Sequence, residues 1–193
     1  MIDRSSEAQI ELQKQEILRK MSEGLQALGA SLAGIGESDV VARPAPGEWS
    51  VLDCVEHLSA SEALLLIQLR AAWPCTESHE DLAREAKFQG LALNRERKIE
   101  APEPVRPTGQ CATLAEAVAR FEAVRRETVN FIEQFEGDLR WSLAQHPLIP
   151  RPVNCYEMLL LMALHPIRHA AQITQIRALG PKASHIDGGG AAP

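Results

Sequence analysis

Six histidines, His57, His79, His146, His165, His169 and His185, carry the most versatile chemistry in the chain. His165 and His169 stand four positions apart. On a helix that spacing puts two imidazoles on one face about one turn apart, which is how a helix offers two nitrogens to one metal ion. His57 lies in a different apolar-periodic segment. If that segment neighbours the first in a bundle, its ring completes three neutral nitrogen ligands and leaves coordination positions open for water or substrate. The three nearest ring nitrogens should then lie within about 4.5 Å of one another, because bonds of about 2.0–2.1 Å to one ion allow little more than twice that length between ligands. The bland alternative is a chance pair, since a helical histidine is more often a hydrogen-bonded core residue. No Glu follows His165 directly, so the built-in general base of an HExxH site is missing and hydrolysis is not specified. Three imidazoles suit Zn, Ni, Cu or Fe, which leaves the identity of a divalent transition metal open.

Lesser candidates surround these three. Asp53, one turn before His57, could orient the ring nitrogen that is not a ligand, although its place at a helix start favours capping and dipole compensation. Gln172, three residues after His169, could hydrogen-bond a metal-bound water or be a polar residue at the bundle end. His146 precedes a proline and reads as a loop-packing residue. Cys155 falls in a first helical turn, where the dipole lowers a thiol pKa, but no His or Asp spacing accompanies it, so a catalytic thiol is not expected. Arg168 is expected to pair with an acid on the surface.

Four amphipathic segments can position these residues. Apolar residues from Ile10 to Leu32 recur every three or four positions, and Gly34 and Gly36 end that helix. After the Arg43-Pro-Ala-Pro-Gly-Glu connector, Ser50 caps a second helix with Asp53 in a variant capping box, and the apolar face runs to Trp73-Pro74. Residues 78 to 98 form a charged stretch compatible with a further helix, and Pro102, Pro104, Pro107 and Gly109 mark an extended crossover. Thr113 and Glu116 box a third helix that stops at Gly137, and prolines 147, 150 and 152 impose a loop. Asn154 with Glu157 then caps a fourth helix reaching Leu179, closed by Gly180-Pro181. No segment alternates with the period of a strand. The expected fold is all-α, a four-helix bundle of up-down-down-up topology with a long crossover between helices two and three. One domain over 1–180 and a flexible tail over 181–193 are expected.

With 193 residues, 45% hydrophobic and 24% charged, the chain has the size and composition of one ordinary globular domain. The net charge of −6 repels phosphate backbones and anionic lipid, and 4% aromatic content provides no base-stacking platform, so neither nucleic acid nor a membrane is expected as partner. The four cysteines show no CxxC spacing and read as free thiols of a reducing, cytoplasmic compartment. The longest apolar run, around Met158 to Leu164, is too short to cross a bilayer, and the N-terminus does not resemble a signal peptide. Trp73, the charged stretch and the crossover exceed what a minimal bundle core needs, and a homodimer is expected to use them.

Longer motifs carry a family resemblance. Pro44-Ala-Pro-Gly-Glu-Trp-Ser-Val-Leu-Asp-Cys-Val-Glu-His57-Leu resembles the segment opening the second helix of the DinB/YfiT-like metalloenzyme family. His146-Pro-Leu-Ile, Tyr156-Glu-Met-Leu-Leu and His165-Pro-Ile-Arg-His169-Ala-Ala-Gln-Ile resemble its last loop and helix, and Ala101-Pro-Glu-Pro-Val-Arg-Pro-Thr-Gly the crossover of one subgroup. The likeness covers most of residues 10 to 180. It implies a four-helix bundle with a long crossover, metal ligation by His57, His165 and His169, and chemistry on a small-molecule substrate in which the metal activates a low-molecular-weight thiol or water, of S-transferase or hydrolase type. The other reading is a non-catalytic bundle serving interaction or stress response, with or without metal. Two positions depart from the family pattern. Pro166 follows the first histidine of the pair, removes a backbone donor and crowds the Met162 carbonyl, which predicts a kink. Pro150 replaces a loop glycine and predicts an altered border to the site.

Overall fold

Each long helix opens on side chains that satisfy its exposed amides. Ser6 Oγ accepts the Gln9 amide at 3.3 Å while Gln9 Oε1 accepts the Ser6 amide at 2.7 Å, starting α1 (Glu7–Leu32) earlier than its apolar pattern suggests. Ser50 and Asp53 form the same reciprocal box at α3 (Val51–Arg70), with bonds of 3.1 and 2.7 Å. Thr113 caps α5 (Leu114–Gln134) through the Glu116 amide at 3.2 Å, and Glu116 reaches back to the Ala112 amide at 3.0 Å. Asn154 accepts the Glu157 amide at 2.7 Å and donates its own to Glu157 at 3.1 Å, opening α6 (Cys155–Leu179). The structure is a computed structural model describing residues 6–76, 82–96 and 100–179; the proposed helix stop at Gly180-Pro181 and the tail over 181–193 lie outside the described residues.

Between the long helices lie shorter elements: α2 (Glu37–Val41), α4 (Leu82–Leu93) and 3₁₀ turns at Glu103–Val105 and Leu139–Trp141. The charged stretch thus supplies α4, and the proline-rich crossover supplies the first 3₁₀ turn. The expectation of no strands is corrected by a small antiparallel sheet. In it β1 (Trp73–Pro74) pairs with β2 (Ser142–Ala144), which pairs with β3 (Val153–Asn154), in register Trp73 to Leu143 and Leu143 to Asn154. Strands of two or three residues are too short for alternation to register in sequence.

α6 lies along α1 and against α3 and α4, and α3 lies along α5. The core forms two layers. One holds Ile17, Met21, Leu66, Leu69, Ile132 and Met158; the other holds Leu28, Val51, Val55, Phe121 and Ile173. Between α1 and α6 the backbones approach at Gly24, where a methyl group would overlap the Ala163 carbonyl oxygen and stand 3.6 Å from Pro166 Cγ.

α6 runs unbroken through Pro166. The ring removes the donor that the Met162 carbonyl would otherwise meet. Arg125, buried on α5, supplies a replacement: Nη2 donates to that carbonyl at 3.2 Å and to Glu62 Oε2 at 2.6 Å, while Nη1 donates to the Met21 carbonyl at 3.1 Å. One guanidinium thereby ties α1, α3, α5 and α6 together. α4 is held by two further ion pairs. Arg140 grips Glu85 through two bonds of 2.8 and 3.0 Å and lies 3.7 Å over the Tyr156 ring, and Arg84 pairs with Glu157. Among the described residues no helix is long and apolar enough to cross a membrane.

Candidate metal centre

His57 projects from the second turn of α3, and His165 and His169 from the middle of α6, on either side of Pro166. Their rings meet: centroids stand 5.0 Å apart for His57 with either partner and 4.7 Å for His165 with His169. One ligand atom from each lies within 4.8 Å of the others, slightly wider than the expected 4.5 Å. The Nε2 atoms of His165 and His169 are 3.0 Å apart, inside the roughly 2.9–3.4 Å that two nitrogens on one ion span at octahedral or tetrahedral angles.

The surroundings orient the rings. His57 Nδ1 lies 2.7 Å from the Val105 carbonyl, which can only accept, so this nitrogen carries the proton and Nε2 keeps its lone pair. Ser61 Oγ, one turn on, stands 3.3 Å from both His57 nitrogens. The Trp49 ring packs 4.7 Å from His57 and stacks on His169 at 6.0 Å. His169 Nδ1 is buried with no hydrogen-bond partner among the described residues. Burial lowers the pKa of His57 against the opposing pull of Val105, and lowers those of His165 and His169 further, with neighbouring imidazoles and Arg168 acting the same way. Three imidazoles from two helices, with the His57 Nε2 lone pair free and the Nε2 atoms of His165 and His169 facing each other, form a donor set suited to a borderline divalent metal.

The crossover is fastened to α3 beside His57. Glu56 Oε1 accepts the amides of Thr108 at 2.7 Å and Gln110 at 3.2 Å. Burial alone would raise the Glu56 pKa, but these bonds outweigh it and lower it. The other candidates have these hydrogen-bond and ion-pair partners. Asp53 caps Ser50 and pairs with Arg43 at 2.8 Å, and Gln172 accepts from Arg95 at 3.2 Å. His146 accepts the Leu148 amide at 3.1 Å within its loop. Arg168 donates to the carbonyls of Ala92 and Asn94. None of the four cysteines forms a disulfide. Burial pushes the Cys155 thiol up to about 12, which overrides the lowering expected from its helix dipole. Val105, Ser61, Trp49 and Arg95 are the site neighbours the sequence reading missed. Trp49 stood inside a quoted motif, whereas Val105 acts through its main chain and leaves no side-chain signal.

Comparison with known proteins adds a family. The model of the DinB superfamily matches residues 20–173. No curated protein matches the chain. Among solved structures, YfiT from Bacillus subtilis, described as "a probable metal-dependent hydrolase with an unusual four-helix bundle topology", superposes with a TM-score of 0.56 at 15% identity, covering 92% of this chain and 93% of that one. A conserved protein from Enterococcus faecalis gives 0.58 at 16% identity, covering 86% of this chain and 95% of the other. At these identities the likeness is one of fold.

Proposed function

The chain belongs to the DinB superfamily, and from that premise we propose that His57, His165 and His169 hold one divalent transition metal, Zn, Ni or Fe, in an enzyme acting on a small-molecule substrate. The observation that supports this most is the convergence of three imidazoles from two helices, with the Nε2 atoms of His165 and His169 3.0 Å apart. When bound, such an ion supplies Lewis acidity that lowers the pKa of a water or a low-molecular-weight thiol at an open position. The protein's own part is orientation and exclusion. Val105 fixes the His57 tautomer, Trp49 shields one side of two rings, and burial keeps all three imidazoles in the neutral form that binds metal. Hydrolysis and thiol S-transfer both fit; a cytoplasmic location suits a thiol cosubstrate and four free cysteines.

The bundle reads as up-down-down-up with a long crossover. Support comes from the core layers, which join the beginnings of α1 and α6 to the ends of α3 and α5, and the reverse.

Metal analysis of protein purified without an affinity tag tests the proposal, together with His57→Ala, His165→Ala and His169→Ala. Each variant should lose at least the roughly 10–100-fold in metal affinity that mere loss of a ligand's supporting partner costs. Helical circular dichroism should persist, because the two apolar core layers do not need the ion. Melting at 25 °C on chelation would make the metal structural and remove the support for catalysis. A folded protein that takes up no metal would leave the non-catalytic bundle.

A further inference from the structure

The triad is built from neutral groups, yet cations surround it. Arg168 and Arg95 both add positive charge around His169. The nearby acids are engaged elsewhere: Asp53 with Ser50 and Arg43, Glu56 with the crossover, Glu62 with Arg125. Arg168 donates to the carbonyls of Ala92 and Asn94, pinning the end of α4 onto α6 and delivering the next residue, Arg95, to the stripe that carries His165, His169 and Gln172. There Arg95 makes three hydrogen bonds, all to amide oxygens: Nη1 to Gln172 at 3.2 Å, and Nε and Nη2 to Gln175 at 3.3 and 2.9 Å. Among the described residues it meets no carboxylate. A half-buried guanidinium held by two neutral glutamines is positioned but not neutralised, and its planar fork matches an oxyanion. Of its two partners on α6, Gln172 is the closer in sequence to the triad, three residues beyond His169, about 4.5 Å of helical rise.

We propose that Arg95, presented by the end of α4 beside Gln172, binds a carboxylate or phosphate carried by the substrate of the histidine site. This rests on reading the triad as a metal site open to a thiol or water. It goes further by making the substrate an anion and the charged stretch after α3 the element that selects it.

The test loads the full chain with Co(II) and follows thiolate-to-cobalt absorption on titration with N-acetylcysteine and with its uncharged amide. N-acetylalanine and its amide, which carry no thiol, are titrated in parallel by calorimetry. The wild-type protein should bind N-acetylcysteine about tenfold or more tighter than the amide, the worth of one charge-assisted hydrogen bond. Arg95→Gln should bring the ratio near one with amide affinity unchanged, and Arg95→Lys should restore part of it. Circular dichroism checks the fold of both variants. A ratio near one in the wild type, or a preference that survives Arg95→Gln, overturns the assignment. If neither thiol gives the absorption, the thiol reading has failed and N-acetylalanine decides: binding that disappears in Arg95→Gln upholds the anion subsite, and absent or unchanged binding overturns it.

Discussion

At Arg125 one side chain answers two needs created elsewhere. It caps the carbonyl that Pro166 deprives of a partner, and it neutralises Glu62, whose carboxyl burial pushes up in pKa. Arg125→Met should therefore destabilise by about 3–5 kcal/mol in urea denaturation, most of it from leaving Glu62 buried and unpaired. The sign with pH follows. Without the arginine, the folded pKa of Glu62 rises further above its unfolded value, so protonation favours the fold. The deficit should shrink as pH falls through that raised pKa and be largest where the carboxyl must ionise. Replacing both residues, as Arg125→Met with Glu62→Met, should recover most of the loss, since an apolar pair of similar volume needs no solvation.

Between elements, the decisive contact is that of α1 with α6. Gly24→Ala should cost about 1–3 kcal/mol, because the added methyl meets a main-chain carbonyl that can only move with its helix. Gly29→Ala, in the same helix with nothing within 4 Å, should instead stabilise by up to about 1 kcal/mol. Paired thermal melts separate the two. The same contrast marks what the sequence could disclose. The 3.6-residue period and the Ser50, Thr113 and Asn154 caps revealed four long helices because those signals are local. The i,i+4 pair and the motif around His57 marked three imidazoles that the fold then brings together. Invisible were features made by distant main chain: the Val105 carbonyl on His57, the close approach at Gly24 and the three short strands. Arg95 escaped for a different reason, since one arginine within a charged stretch looks like any solvated residue until its neighbours are known. Pro166 predicted a kink within the fourth helix; what the sequence could not disclose is the donor from another helix, Arg125, that meets the Met162 carbonyl where α6 continues through the proline.

For the molecule as a whole, we keep the homodimer as a proposal. Trp73, 41% exposed on β1, and Leu82 and Leu93, 66% and 44% exposed on α4, leave apolar surface beside the bundle. Light scattering at micromolar concentration should return about twice the 21.2 kDa chain mass, and a value at the chain mass rejects the dimer. The crossover has a separate effect on the His57 ring. Adjacent residues of α3, Glu56 and His57, both latch it, the first through Thr108 and Gln110 and the second through Val105, 48 positions away in the chain. If the crossover lifts, His57 Nδ1 loses its acceptor and the imidazole is free to turn or exchange tautomer. A stretch of chain contributing no ligand thus holds one ligand ring in the tautomer that leaves Nε2 free.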